Sequence, residues 1–119
     1  MLARVSGVFV AVLLVVGMLA VGGAPTRTPA VSATQSVAVS MQFNRFVPDV
    51  IAVAAGTTVT WINEDYAAGE THDVIAESGA FASEVFEPGS GFSFTFFTPG
   101  TYTYYCDLHE GMYGSVIVQ

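Results

Sequence analysis

The sequence predicts an all-β protein: a sandwich of seven to eight short strands behind an apolar N-terminal segment. Three observations predict it. Past residue 36, apolar and polar residues alternate in short runs, the period of a half-buried strand. Turn-forming pairs separate the runs: Pro48-Asp49, Ala55-Gly56, Pro88-Gly89 and Pro99-Gly100. Beyond the N-terminal segment there is no long stretch with the 3.6-residue period of a helix, and no internal repeat.

Each element follows from local pattern. Val37, Val39, Met41 and Phe43 alternate with Ala38, Ser40 and Gln42, which gives a first strand over 37–43. Residues 50–54 form a second apolar run, ended by Gly56. Residues 57–63 are rich in β-branched side chains and read as a third strand. A fourth, 72–76, follows a polar loop that contains Gly69. The segment 79–88 fits either a short strand at 83–86 or one helical turn. Strands follow at 92–97, 101–106 and 114–118. Strands of this number and spacing suit an antiparallel sandwich or barrel.

The N-terminus has a different character. Arg4 precedes residues 5–24, which carry no charge, in the manner of a basic n-region and an apolar h-region. Val31 and Ala33 place small residues at −3 and −1 of a cut after Ala33. Uncleaved, residues 5–24 are just long enough to span a bilayer and would tether the chain to a membrane. The expected organisation is a signal peptide or anchor with a short linker over 1–33 and a globular domain over 34–119. Either way the domain is exported, to the periplasm or another extracytoplasmic space.

The chain of 119 residues allows one such domain. A single cysteine excludes an intrachain disulfide and any Cys-rich zinc motif. The formal charge is −7, and residues 34–119 set Arg45 against all ten acids, giving −9. That balance argues against nucleic acid and anionic membrane surfaces as partners. So small a domain gains from a staple, and with disulfides ruled out a metal is the available one.

Residues able to do difficult chemistry are few. The segment Cys106-Asp-Leu-His109-Glu-Gly-Met112 puts three soft or borderline donors within seven residues, at the end of a strand where the chain must turn. His72, the second histidine, opens an earlier strand. If both strand ends share one end of the sandwich, the donors are a thiolate, two imidazoles and a thioether. That set suits copper in the trigonal His2Cys arrangement with a weak axial Met that serves electron transfer. Taken singly, each has a bland reading: a lone Cys is usually a small buried hydrophobe, and a Met in a turn is usually packing. It is their convergence that favours metal.

These residues resemble the blue copper proteins, the cupredoxins, and within them the plastocyanin and amicyanin group. The matching segments run in the family's order: Phe46-Val-Pro48, Ala55-Gly-Thr-Thr-Val-Thr-Trp-Ile-Asn63, His72, Pro88-Gly89, Phe94-Thr-Phe96, Pro99-Gly-Thr-Tyr102 and Tyr105-Cys-Asp-Leu-His-Glu-Gly-Met112. The spacing Cys-x2-His-x2-Met is the short, amicyanin-like one. The resemblance implies a Greek-key β-sandwich that holds one type 1 copper ion at one end through His72, Cys106, His109 and Met112. It implies that Asn63 ties the first-ligand loop to the cysteine loop. His109 would be the solvent-edge ligand, amid a docking patch of Pro48, Met112 and Tyr113.

Three features depart from the family. Asp73 stands where Asn is common. The loop 64–71 is longer than in amicyanin-like relatives. Asp107, Glu110 and Gly111 replace prolines around the second histidine, which implies a more flexible loop. The implied function is one-electron transfer by a non-enzymatic monomer, with a partner that offers a basic docking surface on a cytochrome or membrane complex. A copper carrier or store using the same ligands, and a metal-free adhesion sandwich, fit the same chain.

Overall fold

The computed structural model describes residues 35–119. The expected export segment, with its cleavage site or anchor, lies outside the described residues. None of the described residues forms a helix long and apolar enough to cross a membrane.

The described chain contains eight strands: β1 Ser36–Gln42, β2 Arg45–Val47, β3 Val50–Val53, β4 Thr57–Asn63, β5 Ile75–Ala76, β6 Gly91–Phe96, β7 Gly100–Tyr105 and β8 Tyr113–Val118. They form two four-stranded sheets, ordered β2-β1-β4-β6 and β3-β8-β7-β5. The chain changes sheet at every connection from β2 to β7, so the two layers are stitched together along their whole length.

The sheets are mixed rather than purely antiparallel. β1 runs parallel to β4, and β3 parallel to β8. Parallel neighbours need a long crossover, and between β1 and β4 the excursion through β2 and β3 supplies it.

β4 shows how the sequence makes a layer. Thr57, Val59, Trp61 and Asn63 point inward and are buried, while Thr58, Thr60 and Ile62 lie half-buried on the outer face. There the Thr58 hydroxyl meets Thr95 and the Thr60 hydroxyl meets Ser93, both at 2.7 Å, cross-strand pairs of the kind that stabilise sheets. Inside, Trp61 is fully buried. Its ring lies 5.4 Å from Phe81, 5.8 Å from Phe92 and 5.2 Å from Tyr104. Truncating a buried aromatic of this kind costs about 3–5 kcal/mol.

Two regions differ from the sequence expectation. The run 37–43 breaks at Gln42, because Phe43 and Asn44 both take positive φ, 55° and 56°. With Gln42 paired to Arg45, they form the two-residue type I′ turn that matches strand twist, and the unpredicted β2 returns along β1. The expected strand 72–76 shrinks to Ile75–Ala76. His72 instead bridges Phe86, and Ile75 bridges Ala82, while the Val74 N–H donates to the Ser83 hydroxyl at 2.8 Å. The segment 79–88 is therefore neither a strand nor a helical turn; it lies beside 72–76, held by single bridges.

Candidate metal centre

β4 and β7 both end at the same edge of the sandwich, and the chain beyond each builds the site. After β4 come the loop 64–71 and His72. After β7 comes the turn 106–112. The Cys106 N–H donates to the Met112 carbonyl at 3.0 Å and the Met112 N–H to the His109 carbonyl at 3.3 Å. Gly111 adopts φ 82°, a conformation glycine takes without steric cost. The turn thus closes on itself, with His109 and Met112 folded back towards Cys106.

The donor atoms of His72, Cys106 and His109 all lie within 4.8 Å of one another. Cys106 Sγ is 3.7 Å from His72 Nδ1 and 3.6 Å from His109 Nδ1. A first-row metal at about 2.3 Å from sulphur and about 2.0 Å from nitrogen, with bond angles of about 110–120°, puts those atoms roughly 3.5–3.8 Å apart. The observed spacings fit that requirement. His72, Cys106 and Met112 are buried, and His109 keeps 17% of its side chain exposed. Burial pushes the Cys106 thiol up, outweighing the backbone N–H bonds that favour the thiolate.

Carboxylates surround the imidazoles. His72 Nε2 lies 2.8 Å from Asp65 Oδ2, and Asp65 is itself buried. Burial alone would raise the Asp65 carboxyl. The N–H groups of Asn44 and Phe43 and the His72 imidazole donate to it and hold it below the usual carboxylate range. His109 Nε2 lies 3.2 Å from Glu70 Oε2. In the sequence these two acids are among ten scattered carboxylates, and no motif marks them.

The role expected of Asn63 is divided in the structure. Asn63 is fully buried and does anchor the loop before the first histidine. Its Oδ1 accepts the Asp65 N–H at 3.0 Å, and its Nδ2 donates to the carbonyls of Glu70 at 2.8 Å and Phe86 at 3.1 Å. The tie to the cysteine loop comes from Asp73, whose Oδ1 accepts the Asp107 N–H at 2.7 Å. That bond and the closed turn brace the segment that lacks prolines. The residues expected around His109 differ in exposure. Pro48 and Tyr113 are exposed, but Met112 is buried and faces inward, and Leu108 is the exposed apolar neighbour of His109.

A family model for the cupredoxin-like domain matches residues 9–118. The chain belongs to the cupredoxin-like family. Its cluster of His72, Cys106, His109 and Met112 matches a type 1 copper site. It is 37% identical to a plastocyanin of Scenedesmus fuscus over 62% of this chain and 86% of that one. It is 30% identical to an amicyanin of Paracoccus denitrificans over 80% of this chain and 76% of that one. A purple cupredoxin from Nitrosopumilus maritimus superposes with a TM-score of 0.63 at 27% identity, covering 70% of this chain and 99% of that one. Against longer chloroplastic plastocyanins the chain spans about half the length, 44% of the Physcomitrium patens protein.

Proposed function

We propose that this cupredoxin carries single electrons between larger redox partners, with copper held by His72, Cys106, His109 and Met112. The observation that carries the reading is the donor triangle: two Nδ1 atoms 3.6 and 3.7 Å from one thiol, with His72 and Cys106 buried. Copper, when bound, supplies a reversible one-electron couple.

The residues around it do the rest. The bonds from Asp65, Asp73 and Asn63 hold the ligands where they are, which suits a site that must change charge without changing shape. His109 is the donor that reaches the surface, so its edge is the shortest way in and out for an electron. The body around it is strongly acidic, with Arg45 the sole Lys or Arg of residues 35–119. Its charge would be −8 with Cu(II) and −9 with Cu(I), one thiolate included. A partner with a basic docking surface fits, through a small, transient, salt-sensitive interface. The apolar segment 5–24 supports an exported domain.

The test is direct. Adding Cu(II) to the purified domain should produce an intense blue or green thiolate band that bleaches and returns through repeated one-electron cycles. Rapid loss of copper to a chelator would instead support carriage. Absence of any band would overturn both readings.

A further inference from the structure

The loop 64–71 carries more than a connection between β4 and His72. Its two ends hold two carboxylates, and each meets the outer nitrogen of one histidine: Asp65 Oδ2 at 2.8 Å from His72 Nε2, and Glu70 Oε2 at 3.2 Å from His109 Nε2. One side chain anchors both ends, since Asn63 accepts from the Asp65 N–H and donates to the Glu70 carbonyl. The Gly69 N–H closes the loop on the Asp65 carbonyl at 2.9 Å. The inner nitrogens, both Nδ1, are the ones that face Cys106.

A neutral imidazole has one N–H and one lone pair. A carboxylate accepts and cannot donate, so each acid fixes the N–H on Nε2 and leaves the lone pair on Nδ1, pointed at the thiol. A carboxylate behind a metal-bound imidazole also raises its basicity, and negative charge favours the more positive metal state.

We infer that Asp65 and Glu70 form a two-carboxylate clamp, built on Asn63, that presets both histidines for metal and favours Cu(II) over Cu(I). The inference rests on the copper reading above. The two arms differ. Asp65 is buried and bonded to two backbone N–H groups besides His72, so it is a fixed positioning residue. Glu70 keeps 42% of its side chain exposed and covers the His109 edge, so a docking partner meets the clamp there.

The experiment uses Glu70→Ala, Glu70→Gln and Asp65→Asn. In metal-free protein, imidazole NMR reads the exchange of each Nε2 proton with water. In copper-loaded protein, competition titrations read the ratio of Cu(II) to Cu(I) affinity. Glu70→Ala should speed exchange at His109 about tenfold, as loss of one charge-assisted bond implies, and lower the affinity ratio by about as much. Glu70→Gln keeps an acceptor without the charge, so exchange should stay near wild type while the ratio falls. Asp65→Asn should also lower the ratio. Because both Asp65 oxygens accept bonds, its amide cannot satisfy all three donors, so exchange at His72 should quicken where it does not at His109 in Glu70→Gln.

A wild-type His72 or His109 carrying its proton on Nδ1 would overturn the clamp. So would Glu70→Ala with both readouts within twofold of wild type. Should Asp65→Asn fail to fold, the wild-type spectrum and the exposed Glu70 variants still decide. A domain that takes up no copper would sink the electron-transfer reading and the Cu(II) preference with it, while the proton measurement on metal-free protein would still decide whether the two acids preset the histidines.

Discussion

Phe43 is the residue whose replacement should stabilise this fold. It occupies the first central position of the β1–β2 turn at φ 55°, and the residue is 82% exposed. A left-handed conformation costs an ordinary side chain about 1–2 kcal/mol, and Asn pays less because its short polar group bonds locally. With so little of the ring covered, the burial lost on removing it is roughly a fifth of the 1.5–3 kcal/mol that a fully buried Phe contributes, or about 0.3–0.6 kcal/mol. The Asp65 contacts to this turn come from the N–H groups of Phe43 and Asn44, and the substitution leaves them in place. Phe43→Asn should therefore gain about 0.5–1 kcal/mol. For a domain of this size that is roughly 2–8 °C in Tm. Urea and thermal unfolding of the metal-free domain, followed by circular dichroism, measure it. A variant with native spectra and an unchanged or lower midpoint would refute the reasoning, and would mean that the Phe43 ring makes contacts stronger than its exposure allows.

Other substitutions probe other links. Asp73→Asn keeps an oxygen to accept the Asp107 N–H but removes a charge beside His72, so the reduction potential should rise with the band intact; no change would show that this charge is not felt at the metal. Gly114→Ala would place its Cβ against the Tyr104 hydroxyl and 2.7 Å from the ring carbon Cε2, an overpacking worth about 1–3 kcal/mol, read in the same unfolding assay. Because burial raises the Cys106 thiol and metal takes the thiolate, copper uptake should release a proton. Affinity should then rise about tenfold per pH unit between about pH 7 and 8, and a flat profile would contradict a protonated thiol. Asp65, held below its unfolded value, stabilises the fold fully above the unfolded carboxylate range near pH 4. That contribution should drain away as pH falls through the lower folded value, and Asp65→Asn should flatten that part of the acid-unfolding curve.

Patterns that repeat were legible in the sequence; single contacts were not. β4 is legible at its observed bounds because 57–63 is dense in β-branched side chains and follows directly on Gly56. The donors were visible because each is rare in this chain. The turn at Phe43 was hidden, since an aromatic continuing the alternation of β1 looks like another strand residue, and only a carboxylate 22 positions away satisfies its N–H. The same remoteness hid Asp65 and Glu70, whose roles depend on how the loop folds around Asn63. The strand expected at 72–76 was shortened because its backbone bonds go to a neighbouring loop and a serine hydroxyl, which alternation does not encode. Asp73 stands out in the sequence by its charge, whereas its tie to the Asp107 N–H is a contact across 34 positions that only the fold creates.

The strand register has a practical side. Ser36 pairs with Thr58 at the start of β4, and Val118 pairs with Gly100 at the start of β7, whereas the copper ligands follow the far ends of those same strands. Both ends of the described chain therefore emerge on the floor of the sandwich, facing away from His109. A linker fused after Gln119, for wiring the domain to an electrode or joining it to another redox module, would hold it upright with its electron port pointing outward. Attachment there should leave exchange with a soluble mediator as fast as in the free protein.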